Sequence, residues 1–202
     1  MLAVMNDEPL PSKESYIISK GNTGGSFCLD LIPCNIGLTA IEDKLRGEIG
    51  SEKAVSQILN GIKDDYDVIL LDTAPSLNLL TVNALAASDS VIITVSPQYL
   101  SAIGLTLLMK TINKVKRHIH PSLQIEGILM TMCDNRTTLY KKINEIIQRA
   151  YSQTVNIFNT QIPYSVKVGE ANLNHMSIIE YEPKNKVSIA YTALAEEVLN
   201  RG

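Results

Sequence analysis

The residues best suited to chemistry lie in "YDVILLDTAPSLNLLTVNAL", Tyr66 to Leu85. Val68-Ile69-Leu70-Leu71-Asp72 is an apolar run ending in an acid. That is the pattern of a strand buried on both faces, with its carboxylate emerging at the edge where open α/β sheets bind ligands. In a nucleotide hydrolase such a carboxylate holds Mg2+ or its waters; elsewhere it is only a loop cap. Thr73-Ala74-Pro75-Ser76 reads as a tight turn fixed by Pro75, with Ser76 as the N-cap of a helix over Leu77 to Ala87. An acid of the hydrolytic kind works with a phosphate cradle of the form G-x-x-x-x-G-K-[ST], and the 202 residues contain none. The nearest candidate, "KGNTGGS" from Lys20 to Ser26, has the wrong spacing and no lysine before Ser26. It also leads into an apolar run read as a strand, whereas a phosphate loop leads into a helix.

Two other segments carry candidate ligand contacts. "MCDNRTTLYKK", Met132 to Lys142, reads as a strand end, a polar loop and the start of a basic helix capped by Thr137 or Thr138. Arg136 on that loop suits a phosphate, because its planar fork matches phosphate oxygens; an exposed loop arginine is the plain alternative. "QIPYSVKVGEA", Gln161 to Ala171, again follows a strand and puts Pro163, Tyr164 and Lys167 on the same rim. Three segments therefore converge on one sheet edge, the usual place for a ligand crevice.

The elements that must position these residues alternate between short apolar runs and amphipathic stretches, which predicts an α/β fold with a mainly parallel sheet. Strands are expected at Phe27 to Ile32, Val68 to Asp72, Ser90 to Val95, Ile125 to Met132 and Val155 to Gln161. Helices are expected at Ala102 to His118, burying Leu105, Leu108, Ile112 and Val115, and at Thr138 to Tyr151, burying Leu139, Ile143, Ile146, Ile147 and Ala150. The last, Lys186 to Leu199, is expected to bury Tyr191, Leu194, Ala195 and Val198 and to expose Glu196 and Glu197. Residues 1–26, rich in Pro, Ser, Gly and charge, read as an arm or loop, and 27–202 as the main domain.

Composition excludes several classes. With 45% hydrophobic residues the chain can bury a full core. No apolar run nears the roughly 20 residues of a membrane span, and the start lacks a signal-peptide pattern, so the expected location is cytoplasmic. Cys28, Cys34 and Cys133 have no zinc or disulfide spacing and are expected to be reduced, partly buried thiols. Residues 1–89 carry 13 acids against 6 Lys/Arg, net -7, while 90–202 carry 8 acids against 12 Lys/Arg, net +4. A basic face can bind phosphates on an acidic protein because screening confines each charge to about 10 Å.

Taken together, "IKDDYDVILLDTAPSLNLLTVNALAASDSVIITVSPQYLSAIGL", "IEGILMTMCDNRTTL", "IPYSVKVGEA" and "IIEYEPKNKVSIAYTALAEEV" resemble the ParA/Soj family of chromosome and plasmid partition ATPases. The likeness runs from about Leu29 to Val198. It implies a deviant-Walker P-loop NTPase fold, with helices on both faces of the sheet, ATP with Mg2+, and an ATP-dependent homodimer. It further implies nonspecific DNA binding, a nucleoid-associated location and a ParB-type centromere-binding partner. By this resemblance Asp72 is the Walker B acid, catalytic and metal-binding, and Thr73 and Pro75 belong to a switch-like turn toward the γ-phosphate. Met132, Asp134 and Pro163 fall around adenine, while Arg136 and Lys167, with the neighbouring Lys141 and Lys142, form the DNA face.

The chain departs from the family pattern. Members begin with a K-G-G-x-G-K-T loop, which is absent here; Ala74 stands where a second proline is usual, Tyr164 where Arg is common, and Gln98 where Glu is frequent. The reading is a member lacking its N-terminal phosphate-loop segment, inactive alone, with an uncovered apolar edge at the strand ending in Asp72. The alternative is a nonenzymatic DNA-binding or dimerisation module that has lost ATP use. The related septum-site regulator MinD fits less well, because "LAEEVLNRG" is no basic membrane helix.

Overall fold

The computed structural model describes residues 8–22, 28–34, 37–38, 42, 44, 47–74 and 78–200. They form two compact units, one of residues 1–88 with 115–121, the other of 89–114 with 122–202. The expectations for Phe27, Pro75, Ser76 and the 23–26 part of the glycine-rich stretch lie outside the described residues.

In the first unit β1 (Ile18–Asn22) pairs antiparallel with β2 (Cys28–Leu31), Ile18 opposite Leu31 and Ser19 opposite Asp30. The strand expected at Phe27 to Ile32 is thus one arm of a hairpin, not a member of the parallel sheet. Its Asn- and Gly-rich approach has the composition of a hairpin connection. Lys20 to Asn22 belong to β1, so they do not open a strand-to-helix loop. Tyr66 ties the hairpin down by donating its hydroxyl to Asp30 Oδ2 at 2.7 Å, a bond that helps push the phenol up to about 12.

Helices α1 (Ala54–Asn60) and α2 (Leu79–Ala87) pack together in the same unit. Asn83, fully buried, donates to the carbonyls of Ser51 (2.7 Å) and Leu79 (3.1 Å) and accepts from Val55 N (3.1 Å). A buried amide with these partners costs little and fixes the packing register. The N-cap of α2 is Asn78, whose side chain accepts from Thr81 N at 3.1 Å, so the helix starts two residues later than expected from Ser76.

The strand expected at Val68 to Asp72 does not form: these residues are described and take no regular structure. Val68 is 65% and Leu70 88% exposed. An apolar run becomes a buried strand only when neighbours pair with it and cover it, and neither is a property of the run itself.

The second unit holds the parallel sheet. β3 (Ser90–Val95) pairs with β4 (Gln124–Met130) through the crossover helix α3 (Tyr99–His118), as parallel strands require. Val155 to Gln161 is not a regular strand, but it lies parallel beside β4. Ile128 N donates to Asn156 O at 2.8 Å, Phe158 N to Ile128 O at 3.0 Å and Ile162 N to Met130 O at 2.9 Å. Helix α4 (Thr138–Tyr151) connects β4 to this segment, and α5 (Val166–Leu173), α6 (Ile178–Tyr181) and α7 (Lys186–Leu199) follow it. Leu129, Phe158, Ile162, Ala171, Ile178 and Val187 form one core, backed by Val168, Leu194 and Val198.

The core-facing stripe of α7 runs Val187, Ala190, Leu194, Val198, so Tyr191 and Ala195 are exposed, contrary to expectation. Glu197 is not free on the surface either. Its carboxylate accepts from Asn159 N and Thr160 N, both at 2.9 Å, and clamps the loop beside β4. In α4 the buried residues are Tyr140, Ile143 and Ile147, with Leu139 and Ile146 half exposed and Ala150 exposed. In α3 Leu105, Ile112 and Val115 are buried as expected.

Gly127 sits where β4 bulges against β3 between Val91 and Ile92. A Cβ there would lie 2.9 Å from the Asn156 carbonyl oxygen and 2.9 Å from the Phe158 ring. Gly127→Ala is expected to cost about 1–3 kcal/mol through overpacking, lowering the melting temperature by several degrees in a thermal denaturation scan. An unchanged melting temperature would show that the 156–158 segment yields freely.

Candidate functional site

The loop from β4 into α4 is built by local hydrogen bonds. Met132, at φ 54°, turns the chain out of β4 in the left-handed region, which is unusual for a residue with a side chain. Cys133 N then donates to Ile162 O at 3.0 Å, and Tyr164 N to Cys133 O at 2.9 Å. This isolated parallel bridge between Cys133 and Pro163 holds the two expected ligand segments side by side. Thr137 caps α4 by accepting from Tyr140 N at 3.2 Å, while its own hydroxyl donates to Asp134 O at 2.9 Å. Tyr140 OH reaches Gln161 Oε1 at 2.6 Å and orients that amide.

The result is a cavity of about 300 Å³ lined by Cys133, Asp134, Asn135, Arg136, Gln161, Pro163, Tyr164 and Lys186. Its volume falls at the lower end of small-molecule sites. It contains Asp134 and Pro163 of the expected base-side residues, and Arg136 of the expected DNA face. Met132 is not in the lining; its side chain is 63% exposed.

Arg136 grips Asp134 with both ends of its fork, Nε to Oδ1 and Nη2 to Oδ2, each at 2.9 Å, and its backbone N–H adds a third bond at 3.2 Å. These bonds hold the Asp134 carboxyl down at about 2. With a folded value below the usual 3.9 or so, the pair contributes fully above that pH and is lost as the pH falls through about 2. In a carbon-detected NMR titration Asp134 is expected to titrate near 2, and Arg136→Ala to return it toward the ordinary carboxylate range. A normal value in the unsubstituted chain would show that the fork is open in solution.

Lys167 also has a carboxylate partner, Glu170 Oε2 at 2.7 Å, which raises the lysine pKa and lowers that of the glutamate. Its helix is capped by Ser165. Lys141 and Lys142 are exposed on α4. Lys186, absent from the sequence-derived site, opens α7 and lines the cavity. A cation in the first turn opposes the helix dipole, and this local misfit in "EPKNK" was the signal that could have found it.

Asp72 and Thr73 are exposed and stand in the first unit, in the unpaired stretch described above. Among the described residues no group of three His, Cys, Asp or Glu could hold a metal ion. The helix that follows Asp72 has two of its leading N–H groups occupied: Leu79 N donates to Glu42 Oε1 at 3.2 Å and Thr81 N to Asn78. A carboxylate already sits where a phosphate would be drawn. The open hollow of the first unit is lined by Glu14, Asp30, Asp65 and Asp67 against Lys13, which also disfavours an anion. The described residues therefore do not fit a bound triphosphate with its Mg2+, whereas the second-unit cavity offers amides, a ring and cations to a polar ligand.

A parallel sheet whose crossover helices return the chain to loops at the strand ends defines an α/β class of protein, and solved structures specify it further. The cobyrinic acid a,c-diamide synthase from Mycobacterium smegmatis, solved with an ATP analog and magnesium, superposes with TM-score 0.79 at 26% identity, covering 98% of this chain and 70% of that one. The fold is that of the P-loop NTPases. A family described as an AAA domain matches residues 10–125. The sporulation initiation inhibitor protein Soj of Bacillus subtilis is 39% identical over 174 residues, 86% of this chain and 68% of that protein. The chromosome partitioning protein ParA of Myxococcus xanthus is 33% identical over 204 residues, 98% of this chain and 67% of that protein. The chain belongs to the ParA/Soj family. It spans about two thirds of the length of these two relatives and 54% of a Mycobacterium tuberculosis relative.

Proposed function

We propose that the chain acts in chromosome or plasmid partitioning, as the part of a ParA/Soj ATPase that carries the Walker B acid, the base-side cavity and the DNA face. In this reading residues 27–202 are ATPase domain, with Asp72 for Mg2+, Thr73 and Pro75 near the γ-phosphate, and Met132, Asp134 and Pro163 on the base side. The whole protein works as an ATP-dependent homodimer on nonspecific DNA with a ParB-type partner, in the cytoplasm and on the nucleoid. The observation that carries it is the Cys133–Pro163 bridge, which sets two family segments around one cavity with Arg136 and Lys186 at its wall. The alternative, a DNA-binding module without ATP use, is favoured by one observation, the Glu42 carboxylate at the start of α2.

DNA binding is expected to ignore sequence and to weaken with salt, because phosphate contacts release counterions without reading bases. Arg136 and Lys167 can exchange their carboxylates for phosphates at little cost, since exposed ion pairs are weak. Removing one cation from a phosphate lowers the log-log salt slope by about one unit, so Arg136→Ala with Lys167→Ala is expected to lower it by about two. Fluorescence anisotropy on a random duplex across a salt series measures this. A slope unchanged by the double substitution removes these residues from the DNA face.

A further inference from the structure

Helix α3 carries two seams at heptad spacing. Leu105, Ile112 and Val115 are fully buried and Leu108 is half-buried, so the seam 105, 108, 112, 115 faces the core. A second seam lies roughly 140° around the helix, given 3.6 residues per turn. It runs Leu100, Ile103, Leu107, Lys110, Lys114, and every member is exposed, Leu100 at 77%, Ile103 at 44% and Leu107 at 48%. Spacings of three and four repeated in this way form the contact line of two packed helices. Neither lysine has a carboxylate partner among the described residues.

Gly104 lies against this seam, one turn beyond Leu100 and just before Leu107. Glycine is the least favourable residue but proline in a helix interior. A Cβ at Gly104 would meet no atom of the described residues within 4 Å, so their packing does not call for a glycine here. An unexplained glycine on an exposed apolar seam has the property of letting another backbone come close.

We propose that the seam from Leu100 to Lys114 is the docking line for an amphipathic helix of a partner protein, apolar opposite Leu100, Ile103 and Leu107 and acidic opposite Lys110 and Lys114. A second copy of α3 is the wrong occupant. Parallel pairing would set lysines against lysines, and antiparallel pairing would set lysines against leucines. The proposal adds the partner's chemistry to the reading above, and its test uses neither nucleotide nor DNA, so the two fail separately.

The probe is a pair of labelled synthetic helical peptides of about 20 residues. Both carry leucines at heptad positions of one half and differ by Glu or Lys at those of the other half. Titrated with the full chain, the Glu peptide is expected to bind at least about tenfold tighter than the Lys peptide. Lys110→Glu with Lys114→Glu is expected to reverse that preference, and Leu107→Asp to abolish binding of both. Gly104→Ala is expected to raise the melting temperature while weakening the Glu peptide several-fold. That opposition is not expected of a residue with a merely structural role. Because all these positions are exposed, circular dichroism should report folded variants. Equal binding of the two peptides, binding that survives Leu107→Asp, or a Gly104→Ala variant that is stabilised with unchanged binding would overturn the proposal. Self-association dissolved by Leu107→Asp would overturn it as well, by making a second copy the occupant.

Discussion

Calorimetric titration of this chain with ATP and Mg2+ is expected to show no submicromolar binding and no turnover. Tight triphosphate binding in this fold depends on backbone N–H groups and a lysine that neutralise the β and γ phosphates. No G-x-x-x-x-G-K-[ST] segment exists in the 202 residues. The start of α2 is already taken by Glu42 and Asn78. Mg2+ gains little from Asp72 alone, because it is normally held by one or two carboxylates together with substrate phosphates. The loss relative to a phosphate-loop protein is expected to be several orders of magnitude. Submicromolar affinity abolished by Asp72→Ala would contradict this and would assign the cradle to residues 20–26 or their neighbours.

The chain is also expected to associate with itself through the stretch after Tyr66. Val68 and Leu70 are 65% and 88% exposed, next to Ile69 at 37%, in a segment with no ladder partner among the described residues. Contiguous apolar surface with unpaired backbone is a template for another chain. Sedimentation velocity at several concentrations should show growing species at tens of micromolar, and Val68→Lys with Leu70→Lys should return the chain to monomer. A strictly monomeric unsubstituted chain would mean that the segment is covered in solution. Leu107→Asp on α3 is expected to leave this association intact.

Much of the second unit was legible in the sequence, for a physical reason. β3, α4 and α7 are read from periodicity, and periodicity survives whatever the neighbours do; the bounds of α4 and α7 match the expectation. The phase of α7 was less legible. Its helical repeat admits both the stripe through Tyr191 and the one through Val187, and only packing against Phe158 and Ile178 selects the second. Val68 to Leu71 misled because an apolar run states a need for burial without supplying the neighbours. In the candidate site, Arg136 and Pro163 were legible as loop residues after strands, whereas Asp134 entered only through the family resemblance. The Arg136–Asp134 fork was not, since a residue pair two apart announces no geometry. Lys186 came into the cavity from the far end of the chain, where only its position at a helix start marked it.

The most direct test joins this chain to a K-G-G-x-G-K-T segment of the family in its natural order and measures DNA binding with and without ATP and Mg2+. The joined protein is expected to bind a random duplex at least about tenfold more tightly with ATP at moderate salt. Asp72→Ala is expected to remove the ATP effect, and Arg136→Ala with Lys167→Ala to weaken DNA binding and lower its salt slope by about two units. Equal DNA binding with and without ATP, unaffected by Asp72→Ala, would contradict the partition-ATPase reading and leave a DNA-binding module that makes no use of the nucleotide.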